Sequence, residues 1–327
     1  MKIPKHMMVA ALAAALAATF AIEAPAQATP APKASAPADK AASAQRTFAS
    51  AEEASKALAD AVRAHDVNAL LAVVGPGAKP WLFSGDNVAD ENDWKKFLAA
   101  YDEKNSLEKQ GDAKSVLSVG KDDWPFPAPI VKKGSAWSFD TDAGREEILN
   151  RRVGRNELDT IQTLLAVVDA QREYAASDAN GNGFPDYARR FISSPGKKDG
   201  LYWPQEEGKP PSPLGPLVAE ASSEGYAKQP SGSRKAEPYR GYHFRMLTSQ
   251  GKDAPGGAHD YMIGKRLAGG FGVVAYPASY GVSGVMTFIV NYEGVVYEKD
   301  LGKQTAEAAK AMKSFNPDST WKKVQQK

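Results

Sequence analysis

Cysteine is absent from all 327 residues. That excludes disulfides, thiolate zinc sites, iron–sulfur ligation, cysteine nucleophiles and a lipid-modified cysteine at an export-signal junction. Histidine is scarce, with 4 in the chain, and none stands in H-x-x-x-H or H-E-x-x-H spacing. No Gly-rich phosphate loop is present. Charge of one sign is lacking too. Lys+Arg 41 against Asp+Glu 39 leaves no electrostatic footprint for nucleic acid, and 43% hydrophobic residues exclude a charge-rich disordered chain. The chain is expected to fold.

What is present begins with an address. Lys2 and Lys5 precede an uncharged Ala/Leu-rich run from Met7 to Ile22, and Ala24-Pro25-Ala26 supplies the small residues of an A-x-A site. The pattern predicts a signal peptide over 1–26, cut after Ala26 or Ala28. Cleavage leaves no transmembrane anchor and places the mature protein in the periplasm or outside the cell. Residues 27–45, rich in Ala, Pro, Ser and Lys, read as a disordered tether. A second uncharged stretch, Leu267 to Tyr292, is interrupted by Gly269, Gly270, Gly272, Pro277, Gly281 and Gly284. Its β-forming residues predict buried strands and not a membrane helix.

Ser50, followed by Glu52 and Glu53, opens a helix through Ala64 in capping-box fashion, with Ala54, Leu58, Ala61 and Val62 at helical spacing. A second helix follows Asp66 and stops at Gly75-Pro76-Gly77. A third spans about Glu91 to Leu107, capped near Asp90, with Trp94, Phe97, Leu98 and Tyr101 inward. Strands are predicted over Ser115 to Val119, Ala128 to Lys132 and Ala136 to Phe139, the last two joined through Lys133-Gly134. Residues 46–142 thus read as an α+β domain, N-terminal helices plus a curled antiparallel sheet. The element order resembles the nuclear-transport-factor-like cone fold, which implies a sheet bent around a pocket but no particular activity.

Ala143 to Ala176 reads as one long helix of roughly 50 Å. Ile148, Leu158, Ile161, Leu165 and Val168 form its apolar stripe, while Arg145, Glu146, Glu147, Arg151, Arg152, Arg155 and Glu157 make a charged first half. Gly196 to Pro238 reads as a loop-rich insertion. Strands follow at Tyr242 to Thr248, Asp260 to Ile263, Gly270 to Tyr276, Val285 to Asn291 and Gly294 to Lys299, with a turn at Asn291 to Gly294 and a closing helix from Gln304 to Lys313. Residues 143–327 therefore form a second α+β domain, a long helix packed on an antiparallel β-meander. It resembles the pilin or pseudopilin fold, although its ordinary export leader and charged helix start imply no fibre. Arg46 to Glu147 holds 13 basic and 18 acidic residues, so the first half is net acidic and the remainder net basic. Docking of the halves and two ordinarily solvated surfaces both fit that split.

Unusual strings run through the chain: Gln45-Arg46-Thr47-Phe48-Ala49-Ser50, Asp123-Trp124-Pro125-Phe126-Pro127, Gly144-Arg145-Glu146-Glu147-Ile148-Leu149, Asp169-Ala170-Gln171-Arg172-Glu173-Tyr174, Ser193-Ser194-Pro195-Gly196-Lys197-Lys198-Asp199-Gly200, and Tyr280-Gly281-Val282-Ser283-Gly284-Val285. They resemble the signposts of the domain of unknown function 2950 family over roughly Gln45 to Lys323. The resemblance implies an exported bacterial protein with no assigned activity, and it carries no catalytic residues across.

Two local constellations remain. Asp178, Asn180, Asn182 and Asp186, with Gly183 between them, copy the front of a calcium loop. The twelfth position is Arg189 where a bidentate Glu is needed, so Asx side chains capping a tight turn explain the string equally. The aromatics Tyr202, Trp203, Tyr239 and Tyr242 either form a surface for an envelope protein or a glycan, or fill the core from alternate strand positions. His259-Asp260 is a third pairing, but neighbours on a strand point to opposite faces. Catalytic residues are not identified. The leading expectation is a non-catalytic exported protein acting through contacts, with two alternatives: an enzyme or sensor using a cone pocket, and a calcium-stabilised pseudopilin-like module. Oligomeric state is not encoded in any motif.

Overall fold

A computed structural model of the chain describes residues 44–226 and 237–325. The expected signal peptide, and all of the expected tether but its last two residues, lie outside them. Gln45, the last residue of the expected tether, is fastened to the fold: its side-chain amide donates to the Phe139 carbonyl at 2.9 Å and to the Val73 carbonyl at 3.3 Å. The described residues belong to one compact unit, Ala42–Lys327.

Helix α1 (Ala51–Arg63) starts as the capping-box pattern predicts. Ser50 Oγ accepts the Glu53 N–H at 3.1 Å, and Glu53 reaches back to accept the Ala49 N–H at 3.1 Å. Helix α2 (Val67–Val74) is capped by Asp66, which accepts from Asn68 and Ala69. A short α3 (Lys79–Leu82) follows, then α4 (Asn87–Glu103). The cap of α4 is Asp86, not Asp90. Asp86 accepts the Ala89 N–H at 3.1 Å, whereas Asp90 sits one turn inside and turns its carboxylate back onto the Ser84 N–H. The helix also ends earlier than its periodicity predicts. Asn105–Lys109 leaves it as strand β1, because pairing with β2 (Lys114–Val119) satisfies its backbone across the sheet and sets Leu107 opposite Leu117.

Strands β3 (Trp124–Pro125), β4 (Ile130–Lys133) and β5 (Ala136–Phe139) complete an antiparallel sheet of order β1-β2-β4-β5, with β3 on the free stretch of β2. Leu58, Val62, Leu70, Leu117, Ile130 and Phe139 are buried between that sheet and the helices.

Helix α5 (Thr141–Ala176) has 36 residues and is about 54 Å long at the usual rise. Gly144 lets its first turn touch the bend before β4, since a Cβ there would meet the Ala128 Cβ at 2.6 Å. Further along, Asn156 donates to the Ser283 carbonyl at 2.9 Å, and the Glu157 carboxylate accepts the N–H groups of Val285 and Met286, each at 2.9 Å. One helix therefore packs on both halves, and the expected domain boundary near Asp142 falls where it begins.

Helix α6 (Gly215–Ser223) lies inside the stretch expected to be loop-rich; Pro216 in its first turn is pre-organised for helix. That stretch is also fastened by Leu201, Tyr202 and Leu214, which are buried. Beyond it come β6 (Tyr242–Leu247), β7 (Ser249–Gln250), β8 (His259–Asp260), β9 (Met262–Ile263), β10 (Arg266–Leu267), β11 (Gly272–Pro277), β12 (Met286–Asn291), β13 (Tyr297–Asp300), helix α7 (Thr305–Ala311), β14 (Ser314–Phe315) and β15 (Lys322–Lys323). The main sheet runs β15-β13-β12-β11-β6, all antiparallel, so a meander forms, but the strand expected over Asp260 to Ile263 is not part of it: that stretch divides between β8, paired with β7, and β9, paired with β10. Both faces of the main sheet are covered. Val273, Ala275, Phe288 and Val290 face one core with Leu164, Val167 and Val168 of α5. Val274, Tyr276 and Ile289 face another with Ala309 of α7 and Phe315. Burial on two faces is why β11 reads as an unbroken apolar run instead of alternating. Among the described residues no helix is long and apolar enough to cross a membrane.

Candidate functional site

A cavity of about 520 Å³ opens in the first half, beneath α5. Its walls follow from helical spacing. From α4, Asp90, Asp93, Trp94 and Phe97 project at i, i+3, i+4 and i+7; from α5, Ile148, Arg151, Arg152 and Arg155 project at the same intervals. Leu58 and Val62 of α1, Leu70 of α2, Trp81 and Leu82 of α3, Val119 of β2, and Phe126 after β3 supply the apolar lining. Phe97 and Phe126 meet with ring centroids 5.6 Å apart. Trp124, 43% exposed, stands at the mouth with the Arg151 guanidinium 5.5 Å above its ring.

Charge is placed unevenly. Lys96, Arg151, Arg152 and Arg155 line the cavity against only Asp90 and Asp93. Arg155 pairs with Asp93 at 3.0 Å, and Arg151 with Glu147 at 2.6 Å, both near solvent. Arg152 is 9% exposed and donates to the Trp81 carbonyl at 2.5 Å and the Pro80 carbonyl at 3.4 Å. Burial disfavours its charged form and draws its pKa down, opposed by the fields of Asp90 and Asp93. Asp90 is 5% exposed, and burial raises its carboxyl above the ordinary range, opposed by its bonds to Ser84 and by Arg152. A carboxyl raised in the folded state binds more protons there than in the unfolded chain. Its cost therefore disappears as pH falls through the folded value and on towards about 3.9. In thermal melts, acidification through that window should stabilise the natural protein relative to Asp90→Asn; a constant difference between the two contradicts the raised value.

The residues singled out from sequence are placed elsewhere. In the Asp178–Asp186 loop, Asp178 accepts the Asn182 and Gly183 N–H groups, each at 3.0 Å. The Asp186 carboxylate is held by the side-chain amides of Asn180 at 2.9 Å and Asn182 at 2.8 Å. These four residues do converge, and their oxygens are engaged by amide donors within the turn. Among the described residues no group of three or more His, Cys, Asp or Glu side chains is placed to hold a metal ion. Tyr242 is fully buried, with its hydroxyl on the Met286 carbonyl at 2.9 Å, and Tyr202 is 8% exposed. Trp203 packs partly buried against the same core, and the Tyr239 ring meets Tyr226 with centroids 5.0 Å apart. Tyr202, Trp203 and Tyr242 thus belong to the second core, while Tyr239 is half-buried beside Tyr226. His259 contacts the Gly257 carbonyl at 3.3 Å while Asp260 accepts the Met262 N–H at 2.8 Å, so they are not an orienting pair.

The cavity residues of α5 were visible in the sequence only as part of a charged helix half. The signal was there in the spacing: Arg152 and Arg155 share a face with the apolar Ile148, which a fully solvated stripe does not require.

Together these features define an α+β protein with an apolar pocket walled on one side by three arginines of α5. Residues 45–324 match the family described as "Protein of unknown function (DUF2950)", and the chain belongs to that family, as its sequence strings imply. No curated protein and no solved structure matches it.

Proposed function

We propose that the protein is an exported binding protein that holds a small, largely apolar molecule in the cavity of its first half and performs no chemistry on it. The observation that carries this reading is the cavity itself. About 520 Å³ of space opens among the side chains of the first core, and its size lies within the roughly 300–1,000 Å³ of ligand pockets. The lining residues include no hydroxyl, thiol or imidazole. Both oxygens of Asp90 already accept from Ser84, at 3.1 and 2.9 Å, so the one buried carboxylate is poorly placed to move a proton. Contacts with an envelope protein or glycan would then use the outer surface, with ligand occupancy as their signal.

The test is titration of the purified mature protein with an environment-sensitive apolar dye, read by dye emission and by quenching of Trp81, Trp94 and Trp124. Saturable binding at one site is expected. Emission that rises without saturation, and leaves the tryptophans unchanged, contradicts the proposal. Export rests on the Lys2 to Ala28 pattern, and the mature chain is expected to begin at Gln27 or Thr29 by N-terminal sequencing; a chain beginning at Met1 contradicts it.

A further inference from the structure

We infer that the ligand of this cavity is a single-tailed amphipathic monoanion, a carboxylate whose head is received by Arg152 and Trp81 while its tail lies against Leu58, Val62, Phe97 and Phe126. The inference rests on the ligand-binding reading above and names the chemistry of the same site.

Two buried donors without a counterpart point to it. Arg152 is 9% exposed, yet its guanidinium meets only two backbone carbonyls and no carboxylate, while its neighbours Arg151 and Arg155 are each paired. A buried charge left without a partner is strongly unfavourable and is retained where something else neutralises it. Independently, Trp81 is 3% exposed and its indole Nε1–H has no acceptor. Such orphaned donors are rare in folded proteins. Both residues line the cavity, and they are tied to each other through the Trp81 carbonyl, which accepts from Arg152 at 2.5 Å. An oxyanion bound there satisfies both.

The charge count sets the valence. Lys96, Arg151, Arg152 and Arg155 line the cavity against Asp90 and Asp93, with Glu147 on Arg151, so the wall keeps one positive charge in excess. One excess charge matches a monoanion better than a phosphate dianion. The planar fork of a guanidinium fits the two oxygens of a carboxylate. The rest of the lining is apolar, which asks for a hydrocarbon body.

The experiment titrates the full mature chain, at fixed salt, with decanoate, decyl sulfate, decanol and decyltrimethylammonium, following tryptophan fluorescence. Decanoate is expected to bind at least about tenfold more tightly than decanol, with decyl sulfate between them and the ammonium weakest. Arg152→Gln should bring decanoate down to the level of decanol. Trp81→Phe should weaken decanoate several-fold and decanol little, since it removes a donor that the anionic head uses; the smaller ring also lowers the melting temperature somewhat, whichever ligand is present. If decanol binds as well as decanoate, the anion inference falls while the binding reading stands. If no amphiphile binds, both fall. Decyl sulfate binding more tightly than decanoate overturns the carboxylate assignment. Should Arg152→Gln fail to fold, Trp81→Phe decides alone: unchanged decanoate affinity contradicts the inference.

Discussion

Asp86→Ala should lower the free energy of unfolding by about 3–5 kcal/mol in urea denaturation. Asp86 is 2% exposed and serves three donors at once. One oxygen caps α4 through the Ala89 N–H at 3.1 Å; the other accepts the Tyr226 hydroxyl at 2.8 Å and the Gly241 N–H at 2.9 Å. Loss of a cap costs about 0.5–2 kcal/mol. Each buried donor left without an acceptor costs about 1–3 kcal/mol more. Tyr226→Phe removes one of the three bonds and also strands the Arg240 N–H, which the same hydroxyl accepts at 3.1 Å, so its cost should be about 1–3 kcal/mol. A loss below about 1 kcal/mol for Asp86→Ala would mean that water replaces the carboxylate, and the knot would then not hold α4 in place. Since α4 supplies Asp90, Asp93, Trp94 and Phe97 to the cavity, the same variant should also weaken dye binding.

Gln171→Leu carries the second large effect, about 2–4 kcal/mol. Gln171 is fully buried in α5, and its amide copies a strand edge: Nε2 donates to the Ala188 carbonyl at 2.9 Å and Oε1 accepts the Ala188 N–H at 2.8 Å. Leucine fills similar space but leaves both Ala188 backbone groups without partners in an apolar core. The damage should concentrate where the chain returns from the Asp178–Asp186 turn. Hydrogen exchange at Ala188 should accelerate far more than at Val273 or Val290 in the main sheet. Equal acceleration throughout would show global loosening and contradict the local account.

Local chemistry announced part of this architecture. Ser50 with Glu53, Asp66 before its short helix, the Lys133-Gly134 hairpin and the long helix from Thr141 are all written in neighbouring residues, and each element appears where those residues place it. Elements decided by distant partners were not legible. Asn105–Lys109 continues a helical pattern until β2 offers it a sheet, and Asp90 resembles a cap until Asp86 is seen to occupy that place. Gly215–Ser223 lies among prolines that suggest loop, although Pro216 at the helix start is compatible with both.

The cavity was hardest to see. Apart from the apolar Ile148 on the face of Arg152 and Arg155, nothing in the spacing of Arg151, Arg152 and Arg155 sets them off from a solvated helix face. Only α4 and α3, packed opposite, make Arg152 a buried charge in the wall of an apolar space. The acidic loop and the aromatic string drew attention in the sequence because their residues are adjacent. The cavity draws its residues from across more than half of the first hundred and sixty, so no single string contains it.

The most direct measurement is a crystal structure of the mature protein grown with saturating decanoate. The account predicts an acyl chain lying against Phe97 and Phe126 with its carboxylate on Arg152 and the Trp81 indole. A structure in which that cavity stays free of the amphiphile, or is filled by rearranged side chains, would contradict it.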